Sequence, residues 1–579
     1  MEGSPRVIER LSYPKFHRFV TPSPPGCYKT GLIRLPGDKN VPPNNSTMKS
    51  SIQKSLLVLY RRAAGFTAVT AMLLAPMGSS FADSQRNENH QSAGLERLRH
   101  IIVIYQENWS FDSLYGQFPG ASGYAYGFDT LPQLDLKASP AYSSLVYKTP
   151  SPLNGATDPQ FPVSPDGNLA LWSNHNLTLP LVPYDFSNYI DQNSKTGDIV
   201  HRFYHEQLQI DNGTLEAKAG DLDKFVTWSD NPGLVLSYLD ATNFPEGKLA
   251  RKFTLCDNFF HSAYGGSFLN HQWLIAANTP PWTAPIPAGW QSTWDPVAKV
   301  LNDNQLSFDG VYAINTIQPL LAPFSPGTPT TKRLLINNTD PSQPGYMPNI
   351  GNRLDDAGIT WKWYSGGWNA ALQNNTQAAN DPNIIFQFHH QPFAFYTKYA
   401  PFLAAPTSDY TSTPALNPKT TGPKAHLQDE TQFLADLKSN NLPTVSFIKP
   451  AGIDNEHPGY AVEVTGQQHV ADLVKAVQNS QLWKDCAIII TYDENGGRWD
   501  HVPPPVRADG WGVGVRVPGI IISPFACHGF VDHNEYETVS ILKLIEKRFN
   551  LQPLAARDTD PAVSDLTSAF AFTKGEQRD

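Results

Sequence analysis

The sequence predicts an α/β fold: a mostly parallel sheet flanked by helices, with long loops inserted between the core elements. Three observations predict it. Apolar runs without polar alternation, such as Ile488-Ile489-Ile490, read as strands buried on both faces, as strands of a parallel sheet are. Runs with helical spacing alternate with them along the chain, the order that βα layer folds produce. Stretches rich in Pro, Gly, Ser and Thr at roughly 119–180, 278–345 and 366–425 interrupt these units without repeating or separating them into domains.

The elements follow in order. His100 to Tyr105 reads as a buried strand with a polar turn after it. GDIVHRFYHEQLQIDNG (197–213) carries helix-like spacing. FTLCDNFFHSAYGGSFLNHQWLIAA (253–277) runs strand, glycine-rich turn, helix, with the strand over 254–260. GITWKWYSGG (358–367) and LPTVSFIKP (442–450) read as strands. QQHVADLVKAVQNSQLWKD (467–485) is an amphipathic helix that feeds the strand of CAIIITYDE (486–494). VPGIIISPF (517–525) is a further buried strand, and NEYETVSILKLIEKRF (534–549) a helix with an acidic start and a basic end.

Composition narrows the class. The 579 residues are 40% hydrophobic and 17% charged, enough for a large core. The net charge of −9 leaves no general basic footprint, so nucleic acid is not expected as a partner. From Met48 the chain reads as a secretory signal: Lys49, Lys54, Arg61 and Arg62, then apolar Ala63 to Met77, then Ser80-Phe81-Ala82 at a cleavage site. The expectation is cleavage after Ala82, a periplasmic or secreted product, and no stable membrane insertion afterwards. Residues 1–47 read as a mis-started extension, 48–82 as the signal and 83–97 as a flexible N-terminus. Of Cys27, Cys256, Cys486 and Cys527, the last three would survive cleavage, leaving room for one disulfide. Cys486 and Cys527 abut strand-like runs and read as buried thiols. No C-x-x-C occurs, so a structural zinc cluster is not expected.

Four strand ends carry polar clusters: Gln106-Glu107-Asn108; His261 with a Gly-Gly-Ser turn; Asp454, Glu456 and His457; and Asp493-Glu494. Ligands of open parallel sheets bind outside the carboxyl ends of the strands, so such clusters converge. Two adjacent carboxylates at the tip of a core strand are costly without a positive partner. Ser267 follows Gly265-Gly266 and opens an apolar helix. Two roles are open to it at this point: a helix N-cap, or a nucleophile activated by a metal at a helix N-terminus. The context is neither the G-x-S-x-G elbow nor a phosphate-binding P-loop.

These blocks carry a resemblance. ENWSFDSLYG resembles the E-N-R-S-F-D-x-x-x-G signature of the bacterial phosphoesterase family of acid phosphatases and phospholipases C, in the alkaline phosphatase-like superfamily. Trp109 departs from it, standing where arginine is usual. TLCDNFFHSAYGGSFLNHQWLIAA and YDENGGRWDHVPPP are similar to further family blocks, and the likeness covers most of 98–550. It implies an alkaline phosphatase-like core and a phosphoesterase catalytic domain over 98–560, with 561–579 as a tail. It implies metal ligands in Glu107, Asn108, Asp493, Glu494 and Ser267, with Ser267 also the nucleophile. It implies active-site roles for His201, His389, His390 and His457, and none for His205. Oxygen donors of this kind suit a hard or borderline divalent metal ion, of identity and number left open. Ser267 in GGSFLNHQ resembles the acid phosphatase branch, whereas the phospholipase branch tends to threonine in a T-x-P-N-R-like context. The expected activity is hydrolysis of a small phosphorylated substrate, a phosphate monoester, through a phosphoserine. The alternative is a phospholipase C or other phosphodiesterase. A noncatalytic module on the same fold would have lost the nucleophile or ligands, and all are present.

Overall fold

The structure, a computed structural model, describes residues 94–572 except 125–132, 134–182, 189–190, 212–213, 216–219, 231–233, 298–299, 322, 374 and 403–424. The expected signal segment and the extension before it lie outside the described residues. Eight strands form one sheet: β1 (His100–Gln106), β2 (Thr254–Cys256), β3 (Trp361–Ser365), β4 (Leu427–Asp429), β5 (Val445–Lys449), β6 (Cys486–Tyr492), β7 (Gly519–Ile522) and β8 (Phe530–Asp532). Their spatial order is β4-β3-β5-β1-β6-β7-β2-β8. All neighbours pair in parallel except β7, which runs antiparallel to both β6 and β2. Six helices matter for the argument: α1 (Phe203–Ile210), α2 (Pro245–Lys252), α3 (Ser267–Ala276), α4 (Glu430–Lys438), α5 (Glu463–Gln478) and α6 (Thr538–Phe549).

The central strands are apolar on both faces because both faces are covered. Ile101 to Tyr105 and Cys486 to Ile490 are all buried, and only the hydrophobic run itself marks such strands. The expected strand over 254–260 is corrected: Asp257 and Asn258 divide β2 from a two-residue strand, Phe259–Phe260. β4, β8, α2 and α4 escape the sequence reading. β4 and β8 are three residues long and lie at the sheet edges, too short to show a period. The predicted loop over 278–345 holds short β-ribbons, and that over 366–425 holds short helices, among them a 3₁₀ turn at Phe388–His390. The segment set apart as a tail packs onto the core: Val563, Leu566 and Phe570 are buried. Cys256 and Cys486 are buried free thiols, whereas Cys527, expected as a thiol, is disulfide-bonded. Among the described residues, no helix is long and apolar enough to cross a membrane.

Beneath the strand ends lies a buried layer of acids. Glu456 accepts from Gln106 Nε2 at 2.6 Å and from the Tyr492 hydroxyl at 2.5 Å. Its backbone sits at φ 72°, a conformation few non-glycine residues adopt. Tyr492 also reaches Glu246 at 3.3 Å, and Gln467 donates to Glu463 at 2.9 Å. Burial raises the pKa of all three glutamates, and their mutual repulsion raises Glu246 and Glu463 further. A carboxyl with a raised folded pKa contributes stability that is complete below its unfolded value and is lost as pH rises through the folded one. Glu246→Gln mimics the neutral acid. It is therefore expected to gain on the wild type in melting temperature as pH rises above about 4.5, with a slope of at most about 1.4 kcal/mol per pH unit. Parallel calorimetry of the two proteins at pH 5 and pH 8 checks this; a pH-independent difference would refute it.

Candidate active site

Parallel register delivers the acids side by side. Gln106 of β1 lies opposite Tyr492 of β6, so Glu107 and Asp493 leave the sheet at one level, and the Asp493 N–H donates to Gln106 O at 3.0 Å. Asn108 and Glu494 come next, and all four are fully buried. Gly496 closes the acidic turn at φ 61°; a Cβ there would stand 2.4 Å from Asn108 O.

Ser267 is the first residue of α3, and Gly266 is the N-cap. This corrects the N-cap reading, because the Ser267 hydroxyl caps nothing. It donates instead to Glu107 Oε2 at 3.1 Å and lies 3.5 Å from Glu494 Oε1. The turn that presents it is tightly held. Gly265, at φ 85°, donates to Glu206 Oε2 at 2.6 Å, and a Cβ there would meet Phe203 N at 2.5 Å. The Asn270 side chain accepts from Ala263 N at 3.1 Å and donates to Gly265 O at 2.9 Å.

Ser267, His201, His389 and His457 line one cleft of about 400 Å³. His201 donates through Nδ1 to Ile199 O at 2.5 Å, leaving Nε2 3.4 Å from Asn108 Nδ2 and 3.6 Å from Glu494 Oε1. His457 donates through Nδ1 to Pro458 O at 2.5 Å and stacks on Tyr460. Burial lowers the pKa of His457 and, with the nearby charges of His457, Lys449 and His201, brings His389 down to about 3. His390 does not line the cleft. Its Nε2 turns inward, 3.1 Å from Glu107 Oε1. His205 pairs with Asp303 at 3.2 Å and is not among the cleft residues. Trp109, in the place of the usual arginine, donates to Glu456 O at 3.0 Å, and the Arg498 guanidinium lies 4.0 Å from its ring centre.

Sequence reasoning missed Lys449, His271, Asp198 and Tyr460. Asp198 and Tyr460 line the cleft. Lys449 ends β5 beside β1, its Nζ 2.6 Å from Glu107 Oε1. A signal existed for His271, which lies one helical turn after Ser267 and so on its face of α3. A lysine at the end of an apolar strand run was the signal for Lys449.

The acids want a cation. Burial raises the pKa of Asp493 and Glu494, and the neighbouring carboxylate of Glu107 raises both further. Asn108 Oδ1 and Asp493 Oδ2 are buried without a hydrogen-bond partner. One lysine against three carboxylates leaves the space negative, and the oxygens of Glu107, Asn108, Asp493, Glu494 and Ser267 fit a hard or borderline divalent ion. Glu107, His271 and His390 form one ligand-capable group here and Asp198, His201 and His457 a second, the ligand atoms within each lying within 4.8 Å of one another. Asp112, Asp500 and His501 form another such group, but Arg516 already pairs with Asp112 at 3.0 Å and Asp500 at 2.8 Å.

Residues 98–552 match the model of the Phosphoesterase family. Phospholipase C B of Mycobacterium tuberculosis is 26% identical over 511 residues, 83% of this chain and 78% of that protein. Non-hemolytic phospholipase C of Pseudomonas aeruginosa is 23% identical over 558 residues, 91% of this chain and 64% of that protein. A solved protein in the alkaline phosphatase superfamily from Vibrio parahaemolyticus overlaps 56% of this chain and 63% of its own, at 11% identity. Its TM-score is 0.27.

Proposed function

The chain belongs to the Phosphoesterase family, and from that premise we propose that it is a metal-dependent phosphodiesterase of the phospholipase C kind with Ser267 as nucleophile. The observation that carries the reading is the Ser267 hydroxyl, free of any capping role and held 3.1 Å from Glu107 Oε2 at the floor of the cleft. The names of these two relatives support the diester over the monoester expected from the context of Ser267.

A divalent ion held by Glu107, Asn108, Asp493, Glu494 and Ser267 would supply positive charge that favours the serine alkoxide and offsets phosphoryl charge. The N-terminus of α3 adds partial positive charge at the same atom. Ser267 Oγ attacks phosphorus, the P–O bond to the leaving alcohol breaks, and water then cleaves the phosphoserine. His201 and His457 have their Nδ1 protons tied to backbone carbonyls, so Nε2 is the atom each has left for the substrate. A neutral Nε2 takes the proton of the attacking Ser267 hydroxyl and returns it to the departing alkoxide. His389 lines the same cleft, and as a neutral imidazole it offers the substrate one N–H and one lone pair.

A second reading, hydrolysis of phosphate monoesters, is favoured by the GGSFLNHQ context of Ser267 and is compatible with the polar lining of the cleft, which includes Asp198, Arg202, Asp230, Gln305 and Asn315. Such a wall suits a charged head group or a small monoester alike. The test is a panel on purified protein: an aryl phosphate, a bis-aryl phosphodiester and phosphatidylcholine vesicles. Expected is a kcat/KM for at least one diester about tenfold or more above the monoester, about 1.4 kcal/mol of barrier. The reverse ratio would favour the second reading, and no hydrolysis of any would overturn both.

A further inference from the structure

Glu107 has two faces. Oε2 accepts from Ser267, while Oε1 points into a closed space shared by Lys449, His271 and His390. Lys449 Nζ lies 2.6 Å from Oε1 and donates to Tyr105 O at 2.9 Å. His390 Nε2 lies 3.1 Å and His271 Nε2 3.7 Å from the same oxygen. The two imidazoles stack at 4.9 Å with planes 6° apart. Both residues are buried, and neither Nε2 finds a hydrogen-bond partner. His271 gives its Nδ1 proton to Ser267 O at 2.7 Å, so its Nε2 presents a lone pair. One carboxylate oxygen and two imidazole nitrogens in a closed space are the donor set of a zinc-type site.

We propose that Lys449 is a built-in cation: it occupies the inner face of Glu107, limits the chain to a single divalent ion on the Ser267 face, and in its absence Glu107, His271 and His390 take a second ion. The inference rests on the metal reading above. Charge argues for it. Glu107, Asp493 and Glu494 carry three negative charges, which one divalent ion and one ammonium neutralise. A second divalent ion beside Lys449 would leave two buried positive charges in excess, against one where the ammonium is absent. Geometry agrees, since an ion bound by Oε1 and the ammonium would compete for the lone pairs of one oxygen and repel each other.

Metal content is the readout. Protein dialysed against Zn²⁺ and freed of excess by gel filtration is analysed by plasma mass spectrometry. The wild type is expected to retain one equivalent, Lys449→Met two, and the double variant Lys449→Met with His271→Phe one again. Lys449→Arg, which keeps the charge, is expected to stay at one. Two equivalents in the wild type, or one in a folded Lys449→Met protein, would overturn the proposal alone. None in the wild type would overturn the metal reading and this proposal with it. Should Lys449→Met not fold, His271→Phe alone decides. Retention of one equivalent there agrees with a histidine that ligates nothing while Lys449 is present, and loss of the ion means that His271 already ligates.

Discussion

Ser267→Ala is expected to lower turnover by at least about 1,000-fold, a barrier increase of about 4 kcal/mol, while the protein still folds and binds its ion. The two outcomes separate because the hydroxyl is not structural. Gly266 is the N-cap of α3, and the turn before it is held by Glu206 and Asn270. Removing the hydroxyl costs one hydrogen bond to Glu107, about 1 kcal/mol. Chemically the loss is large, since no other cleft residue presents an oxygen nucleophile at the same place and a covalent phosphoenzyme cannot form. Melting temperature and turnover measured on one preparation check the pair. Acid quench and mass spectrometry should find phosphate on Ser267 of the wild type and none on the variant. A variant that keeps more than about a tenth of the rate would place the nucleophile elsewhere.

Asp493→Ala is expected to lose bound metal and activity together, and Glu107→Ala likewise. In the metal-free protein, burial raises the pKa of Asp493, and repulsion from Glu107 and Glu494 raises it further. An ion removes that repulsion and so binds the folded state alone. At a free concentration about 100 times its dissociation constant it should stabilise the wild type by about 2.7 kcal/mol. Asp493→Ala weakens the site and also relieves the repulsion. Its melting temperature should therefore change little between chelator and excess metal, while that of the wild type rises. Elemental analysis gives the second measurement. Full metal occupancy in both variants would remove these carboxylates from the ligand set, leaving the role of Ser267 to be judged separately.

Much of this was legible in the chain. Unalternating apolar runs located β1, β6 and β7, because a strand covered on both faces has only one chemical option along its length. The spacing of 467–485 located α5, whose ends fell at Glu463 and Gln478. The Gly-Gly-Ser turn marked Ser267, since a backbone at φ 85° packed against Phe203 requires glycine there. The antiparallel course of β7 was not legible, because a short buried run reads the same in either direction.

The sequence by itself determined which residues would be buried and which strand tips would be polar. Those are local properties, written in periods of two to four residues and in turn chemistry. Only the tertiary structure decided how the tips meet. Ser267 reaches Glu107 across 160 positions and Glu494 across 227, and Lys449 reaches Tyr105 across 344. Such pairs follow from strand order and register, which no local pattern encodes. The same holds for the adjacent pair His389 and His390. Their 3₁₀ turn rotates successive side chains by about 120°, so one faces the cleft and its neighbour faces Glu107. The family resemblance implied both as active-site histidines; the direction of each side chain is fixed by the packing of the inserted loop on α3, and it is that packing which gives Glu107 its two faces.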